Sequence, residues 1–397
     1  MRVLMLHNRY QIAGGEDVST ETQVELLRSA GHEVVLVEES NDRIETLGPI
    51  RTATRTLWSR ESYHRIEEIL KGEQFDVMHV QNFFPLLSPS VYYAANRHDL
   101  PVVQSLRNFR LLCPEGSLHR DGRTCTDCVG RRVAWPGLQH ACYRGSRAGT
   151  SVVAAMSSVH RVTGTWRNRV ALYVTPSQFA ADMYIGAGWS PRLFEVIPNY
   201  VHPDPGVGPG TGGYALAVGR LESAKGTDVL LDAWRREDLK YPLKFAGDGP
   251  MRPLVETAAA ESPYIEYLGV VPSDQVSALM GEATFVVVPS TSTETFGRVA
   301  AEAMAKGTPA VVSDLGGLRE IVDDGLNGWR VPPGDAGALG IRARWMIEHP
   351  LEVDEMRRAS RASFLDRFSG TRALDRWLSA YRKVSGANDP NRGSPAT

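Results

Sequence analysis

The sequence holds no apolar run long enough to cross a bilayer, which excludes a transmembrane helix. Its opening, Met1 to Tyr10, lacks the apolar core and small-residue cleavage site of a secretory signal and reads as a first strand, so a cytoplasmic protein is expected. Net charge is small: 44 Lys and Arg against 46 Asp and Glu leave −2, which argues against general nucleic-acid binding. No Gly-x-Gly-x-x-Gly follows the first strand, which argues against a dehydrogenase. Lysine is missing from Pro101 to Val170, where eleven arginines face only Glu115, Asp121 and Asp127. Such a patch suits an anionic acceptor, a phosphate or the cytoplasmic leaflet of a membrane, and equally a solvated arginine surface. Cysteine is scarce as well. The four present, Cys113, Cys125, Cys128 and Cys142, fall together, a clustering that favours metal binding or reactivity over a disulfide framework in a cytoplasmic chain.

The 397 residues exceed one ordinary core and suit two domains, with the 42% hydrophobic and 23% charged balance of a soluble globular protein. Short apolar runs alternate with amphipathic stretches, the pattern of an α/β fold with parallel sheets covered on both faces. Strands are expected at Val3–His7, Glu33–Val37, Val77–Val80, Val102–Leu106 and Leu172–Thr175, with a Gly14-Gly15 turn and a helix from about Val18 to Ala30. A Pro- and Gly-rich stretch, Pro198 to Gly213, reads as a linker. Beyond it the pattern restarts with strands at Tyr214–Val218, Leu243–Phe245, Phe285–Pro289 and Ala310–Ser313 and a helix near Thr227–Trp234. Two Rossmann-like domains with a cleft between them follow, residues 1–200 and 201–370, and ligands bind beyond the carboxyl ends of such strands. The last residues, 386–397, are expected to be disordered.

Three patches in the second half carry chemistry. Gly219 to Gly226 follows a strand and places Arg220 and Lys225 five residues apart, where a guanidinium fork and a point charge can converge on one diphosphate. Gly247-Asp248-Gly249-Pro250 is a tight turn at which backbone can approach a flat ligand. The third patch runs from Glu294 to Gly307. Strong helix formers after Phe296 put a helix N-terminus near Phe296 and Gly297, with free N–H groups for an anion. Eight residues of helix rise about 12 Å, so Glu294 and Glu302 suit two parts of an extended ligand rather than an acid/base dyad.

These runs, together with Ser313-Asp314-Leu315-Gly316-Gly317 and Glu320, resemble glycosyltransferase family 4, of the GT-B fold, over roughly residues 1–385. The resemblance implies retaining transfer from a nucleoside diphosphate sugar of UDP or GDP type to a glycan, lipid-linked or small-molecule acceptor, with no catalytic metal. It implies that Arg220 and Lys225 hold the diphosphate, Glu302 the ribose hydroxyls and Glu294 the donor sugar. Phe296 and Gly297 would lend backbone N–H groups, and Gly14 and Gly15 would lie near the phosphates. A final helix, about 371–385, would cross back to the first domain.

One sub-group of the family carries a segment like His-Asn-Phe-Arg-Leu-Leu-Cys-Pro, and here Arg107 opens it in place of histidine; Gln81 likewise stands where a second histidine is common. Arginine is no general base near neutral pH, but it can hold a phosphate or an acceptor anion. Both an enzyme with altered contacts and a weakened catalyst or GT-B-shaped binding protein fit these replacements; a sugar-nucleotide epimerase shares the fold. The Cys125-x2-Cys128 pair with Cys113 and Cys142 is compatible with a structural zinc, and equally with free thiols in a loop.

Overall fold

The structure, a computed structural model, describes residues 1–11 and 14–386. Strand β1 (Arg2–Arg9) pairs with β2 (Glu33–Ser40) and β3 (Val77–Asn82), and the first sheet continues through β4 (Val102–Ser105). After a two-residue hairpin, β5 (His119–Arg120) and β6 (Arg123–Thr124), come β7 (Leu172–Thr175) and β8 (Phe194–Val196). The resulting order is β2-β1-β3-β4-β7-β8, with every pairing parallel. The second sheet has β9 (Ala215–Val218), β10 (Leu243–Ala246), β11 (Ile265–Gly269), β12 (Phe285–Val288), β13 (Ala310–Ser313) and β14 (Gly328–Val331). Its order is β11-β10-β9-β12-β13-β14, again parallel, the doubly wound arrangement.

Consecutive apolar residues explain why both faces of each sheet are covered. Val3, Leu4, Met5 and Leu6 are all fully buried, and they alternate between two cores: Leu4 and Leu6 on one side, Val3 and Met5 on the other. In the second sheet Val287 and Val311 join one core while Val286 and Val312 join the opposite one.

The last helix, Gly370–Ser385, closes the chain onto the first sheet. Ala373, Trp377, Ala380 and Tyr381 recur at helical spacing and share the core of Val3 and Met5. The Tyr381 hydroxyl meets Nδ1 of buried His79 at 2.7 Å and accepts from Gln23 Nε2 at 2.9 Å. The helix before it, Pro350–Arg367, packs Phe364 into the core of the second sheet. The expected return to the first domain is therefore made by side-chain burial.

The stretch 198–213 contains no strand beyond a single bridge, as its Pro and Gly content dictates, yet it is bound rather than free. Gly208, Gly210 and Gly212 donate backbone bonds to the carbonyls of Lys306, Gly281 and Glu282. Arg357 closes over the carbonyl of Gly208 at 2.9 Å. Tyr200, which a linker reading leaves outside any core, is buried with Trp377. Most of the expected disordered tail, from residue 387, lies outside the described residues.

Candidate active site

Both sheets reverse their strand order beside the first strand of each half, and the loops leaving those carboxyl ends face one another. In the second half these are the loops after β9 and β12. They are tied together: the N–H groups of Thr291 and Ser292 donate to the Ala224 carbonyl at 3.0 and 3.1 Å, and Thr291 Oγ1 donates to the Ser223 carbonyl at 2.7 Å. Between the halves lies a cleft of about 430 Å³. Its wall includes Gly15, Glu16, Arg107 and Asn199 from one side and Arg220, Lys225, Glu294, Phe296, Gly297 and Arg298 from the other.

Within the cleft Lys225 Nζ donates to Glu294 Oε1 at 2.8 Å, and Ser290 Oγ donates to the same oxygen at 2.6 Å. Arg220 stands further out, two-thirds exposed, with its Nε 3.2 Å from Glu222. Gly297 caps the helix Arg298–Ala305, as the sequence predicts. Its φ of 110° is reached without strain only by glycine, and a Cβ there would stand 2.3 Å from Leu318 Cδ2. Phe296 beside it is buried.

The helix begins later than an eight-residue rise between Glu294 and Glu302 requires. Only Arg298 to Glu302 of that interval is helical, and Glu294 sits in the loop before it, which corrects the 12 Å estimate. The two carboxylates nevertheless serve different partners. Glu302 takes Arg298 Nη2 at 2.9 Å and Nε at 3.2 Å on its Oε1, and it stands outside the cleft wall. Gly14 and Gly247 also stand outside that wall. Gly14 instead caps the helix Gly15–Ser29, its N–H donating to Asp17 Oδ2 at 2.8 Å. Gly247 packs against the turn after β9: a Cβ there would meet the Gly219 carbonyl oxygen at 1.9 Å.

Several side chains bridge the cleft. Arg298 Nη1 donates to the Gly15 carbonyl at 3.2 Å and to Ser19 Oγ at 2.9 Å. Ser177 Oγ donates to the Thr295 carbonyl at 2.6 Å, and Thr295 Oγ1 to the Arg107 carbonyl at 3.0 Å. Glu320 accepts the first N–H groups of the helix Gln178–Gly186, from Gln178 at 2.8 Å and Phe179 at 2.6 Å. A carboxylate there satisfies donors that the helix itself leaves free.

Arg107 lies at the floor of the cleft. Its Nη1 donates to Asn199 Oδ1 and its Nη2 to Gln81 Oε1 at 3.3 Å, while Nε is shielded and has no partner. Burial brings its pKa down to about 10, against the opposing pull of Glu16. Gln81 is buried behind it, donating to Gln23 Oε1 at 2.7 Å. Burial, reinforced by Arg107, pushes His79 down to about 3, so this imidazole is neutral. Glu16 accepts from Tyr10 at 2.8 Å and Asn108 Nδ2 at 2.7 Å. Glu16, Asn199 and Arg298 were not singled out from the sequence. For Arg298 a signal was present, its position four residues before Glu302 on the helix.

Cys113, Cys125, Cys128 and Cys142, of which a structural zinc is expected, lie within electrostatic reach of one another. All four are free thiols, and among the described residues no three His, Cys, Asp or Glu side chains are placed to hold a metal ion. Cys113 and Cys128 are buried, and burial raises the Cys113, Cys128 and Cys142 thiols, Cys128 to about 11, with the neighbouring cysteines adding to the rise at Cys128 and Cys142.

Residues 13–205 match Glycosyltransferase Family 4 and residues 212–349 match Glycosyl transferases group 1, which together take in both sheets. The chain belongs to the GT-B glycosyltransferases. Among curated relatives, the phosphatidyl-myo-inositol mannosyltransferase of Mycobacterium leprae is 37% identical over 203 residues, 48% of this chain and 53% of that protein. The 2-deoxystreptamine glucosyltransferase of Streptomyces kanamyceticus is 27% identical over 270 residues, 59% of this chain and 68% of that one. Two uncharacterized glycosyltransferases of Methanocaldococcus jannaschii are spanned over only 38% and 34% of their length. Anabaena HepE, solved with UDP, shares the GT-B fold at a TM-score of 0.68 and 18% identity, covering 97% of this chain and 100% of its own. A Thermosynechococcus elongatus sucrose-phosphate synthase does so at 0.68 and 16% identity, covering 98% and 100%.

Proposed function

We propose that this GT-B glycosyltransferase moves a sugar from a nucleoside diphosphate sugar to a hydroxyl of a glycan, lipid-linked or small-molecule acceptor, with retention at the anomeric carbon. The observation that carries the reading is the 2.8 Å contact of Lys225 with Glu294 in the cleft wall, between Arg220 and the glycine-capped helix start at Gly297. Complexes of HepE with UDP and UDP-glucose support UDP as the first nucleotide to try.

In this reading Arg220 and Lys225 hold the diphosphate, and Phe296 and Gly297 turn backbone N–H groups to the donor. Gly15, with Gly14 at the helix cap, faces the phosphates from across the cleft. Glu294 receives hydroxyls of the donor sugar. Glu302 receives the ribose through Oε2, which Arg298 leaves unbonded. The bond from the anomeric carbon to the diphosphate breaks as the acceptor oxygen bonds on the same face. The acceptor proton passes to the departing phosphate, and no side chain of the chain changes covalently. Fixed cations facing the leaving oxygen favour the charge-separated transition state over the ground state. Arg220→Ala and Lys225→Ala each lower turnover at least about tenfold. Near-normal rates in both variants overturn the reading, and absence of donor hydrolysis in the intact protein favours a binding protein instead.

The acceptor is reached at an anionic membrane surface. From Asp127 to Asp182 no acidic residue intervenes, while seven arginines do. Trp135 is 70% and Val162 84% exposed on this stretch, apolar tips within a cationic field that suit a peripheral contact. The similarity to a phosphatidyl-myo-inositol mannosyltransferase supports a lipid-linked substrate.

A further inference from the structure

The cleft cations do not share one situation. Lys225 has Glu294, Arg220 has Glu222 and Arg298 has Glu302, each a carboxylate within 3.2 Å. Arg107 has only the side-chain carbonyls of Asn199 and Gln81, both neutral, and its Nε bonds to nothing. The carboxylate that acts on it, Glu16, has its oxygens committed to Tyr10 and Asn108. A guanidinium withdrawn from water without a carboxylate is an unfavourable arrangement unless a ligand completes it. Arg107 also borders a second cavity of about 450 Å³, walled by Glu115, Ser117 and His119 of the first half and by Thr293 of the opposite half, and shared with Arg220, Lys225 and Glu294 of the donor cleft. It therefore stands where the donor cleft and this adjoining cavity meet.

We infer that Arg107 receives an anionic group, a carboxylate or phosphate other than the donor diphosphate, carried by one of the two reacting ligands. The inference rests on the transferase reading for the identity of those ligands but not for the anion itself. Two sources supply the same chemistry: a carboxylate on the transferred sugar, as in a uronic acid, or a carboxylate or phosphate on the acceptor filling the second cavity. The guanidinium fork matches either planar or tetrahedral oxyanions through two N–H groups.

The test compares the full chain with Arg107→Gln and Arg107→Lys by calorimetric titration. UDP, UDP-glucose and UDP-glucuronic acid are the donor probes. Glucose and glucose 6-phosphate, with UDP present and absent, are the acceptor probes. The expected result is a preference of about tenfold or more for the charged member of one pair, reduced in Arg107→Lys and gone in Arg107→Gln. UDP affinity then changes less than about threefold, and the melting temperature of ligand-free Arg107→Gln does not fall, since a half-buried cation without a carboxylate partner has been removed. A preference in the donor pair assigns the anion to the transferred sugar, and one in the acceptor pair assigns it to the acceptor. No preference in either pair, or one that survives Arg107→Gln, overturns the inference. So does an equal loss of UDP itself, which makes Arg107 a diphosphate ligand. Failure of the wild type to bind UDP, GDP or ADP instead counts against the transferase reading, and the glucose pair on the nucleotide-free chain still decides the role of Arg107.

Discussion

Glu320→Ala opens the cleft. In the closed arrangement this carboxylate, from the second half, accepts two N–H bonds of 2.8 and 2.6 Å at the start of the helix Gln178–Gly186 in the first half. Hydrogen bonds to a charged group contribute about 1.5–3 kcal/mol each when sheltered, and an anion at a helix N-terminus adds about 0.3–1 kcal/mol. Glu320 is only half-buried, so water takes over much of this when the halves part, and about 1–2 kcal/mol is the fair figure for the difference between closed and open. That corresponds to roughly a fivefold to thirtyfold fall in the closed-to-open ratio. Two fluorophores, one on each half, read this ratio by single-molecule energy transfer with and without UDP. The variant shows more open molecules and needs correspondingly more UDP to close, while its melting temperature moves little because neither core is touched. A closed fraction equal to that of the wild type refutes the assignment of Glu320 as a clamp.

Gly297→Ala places a Cβ 2.3 Å from Leu318 Cδ2 at a φ of 110°, and left-handed strain with overpacking sums to about 2–5 kcal/mol, read as a lower urea midpoint. His79, held neutral with a pKa near 3, makes stability fall as pH drops below its unfolded value of about 6.5, because the unfolded chain takes the proton first. Between pH 7 and 5 the loss is about 2 kcal/mol, and His79→Gln removes that part of the slope in denaturation titrations. Vesicles with phosphatidylserine co-sediment the protein and neutral vesicles do not. Trp135→Ser with Arg131→Gln and Arg132→Gln weakens this several-fold, and equal sedimentation of both proteins refutes the patch.

What could be read from the sequence follows from which residues repeat a local pattern. Central strands such as Phe285–Val288 and Ala310–Ser313 are buried throughout, so their apolar runs are nearly continuous and were recognisable. Within the two six-stranded sheets the strands without expectation, β8, β11 and β14, are all edges with partly exposed residues, where one-sided burial breaks the run. The motif residues of the second half, Arg220, Lys225, Glu294 and Gly297, are indeed gathered in one cleft, because they sit on neighbouring loops of one sheet. From the first half Gly15 and Arg107 were expected and line the cleft, but the partners they meet were not legible. Asn199 reaches Arg107 across 92 residues and Gly15 reaches Arg298 across 283, distances over which no local pattern operates. The helix start illustrates a finer limit. Good helix formers fix that a helix exists, but Gly297, through its backbone angle, fixes where it begins.

The ligand-free cleft stores its charges in pairs of unequal strength, and that inequality orders what a donor must displace. Arg220 and Glu222 form a surface pair, the arginine two-thirds exposed, and such pairs contribute little, so this cation is free to turn toward a phosphate. Lys225 and Glu294 are more sheltered, and Ser290 adds a bond to the same carboxylate oxygen. A diphosphate drawing Lys225 away leaves Glu294 with Ser290 alone, an under-bonded carboxylate beside the incoming sugar, and hydroxyl donors of that sugar then complete it. Phosphate and sugar binding are therefore coupled through one salt bridge: the nucleoside diphosphate without its sugar exposes Glu294 without compensating it. Glu294→Gln weakens this coupling, since a neutral amide neither holds Lys225 as strongly nor requires the sugar as much. The variant therefore narrows the affinity gap between UDP-glucose and UDP, and a gap that is unchanged or wider means the two halves of the donor bind independently.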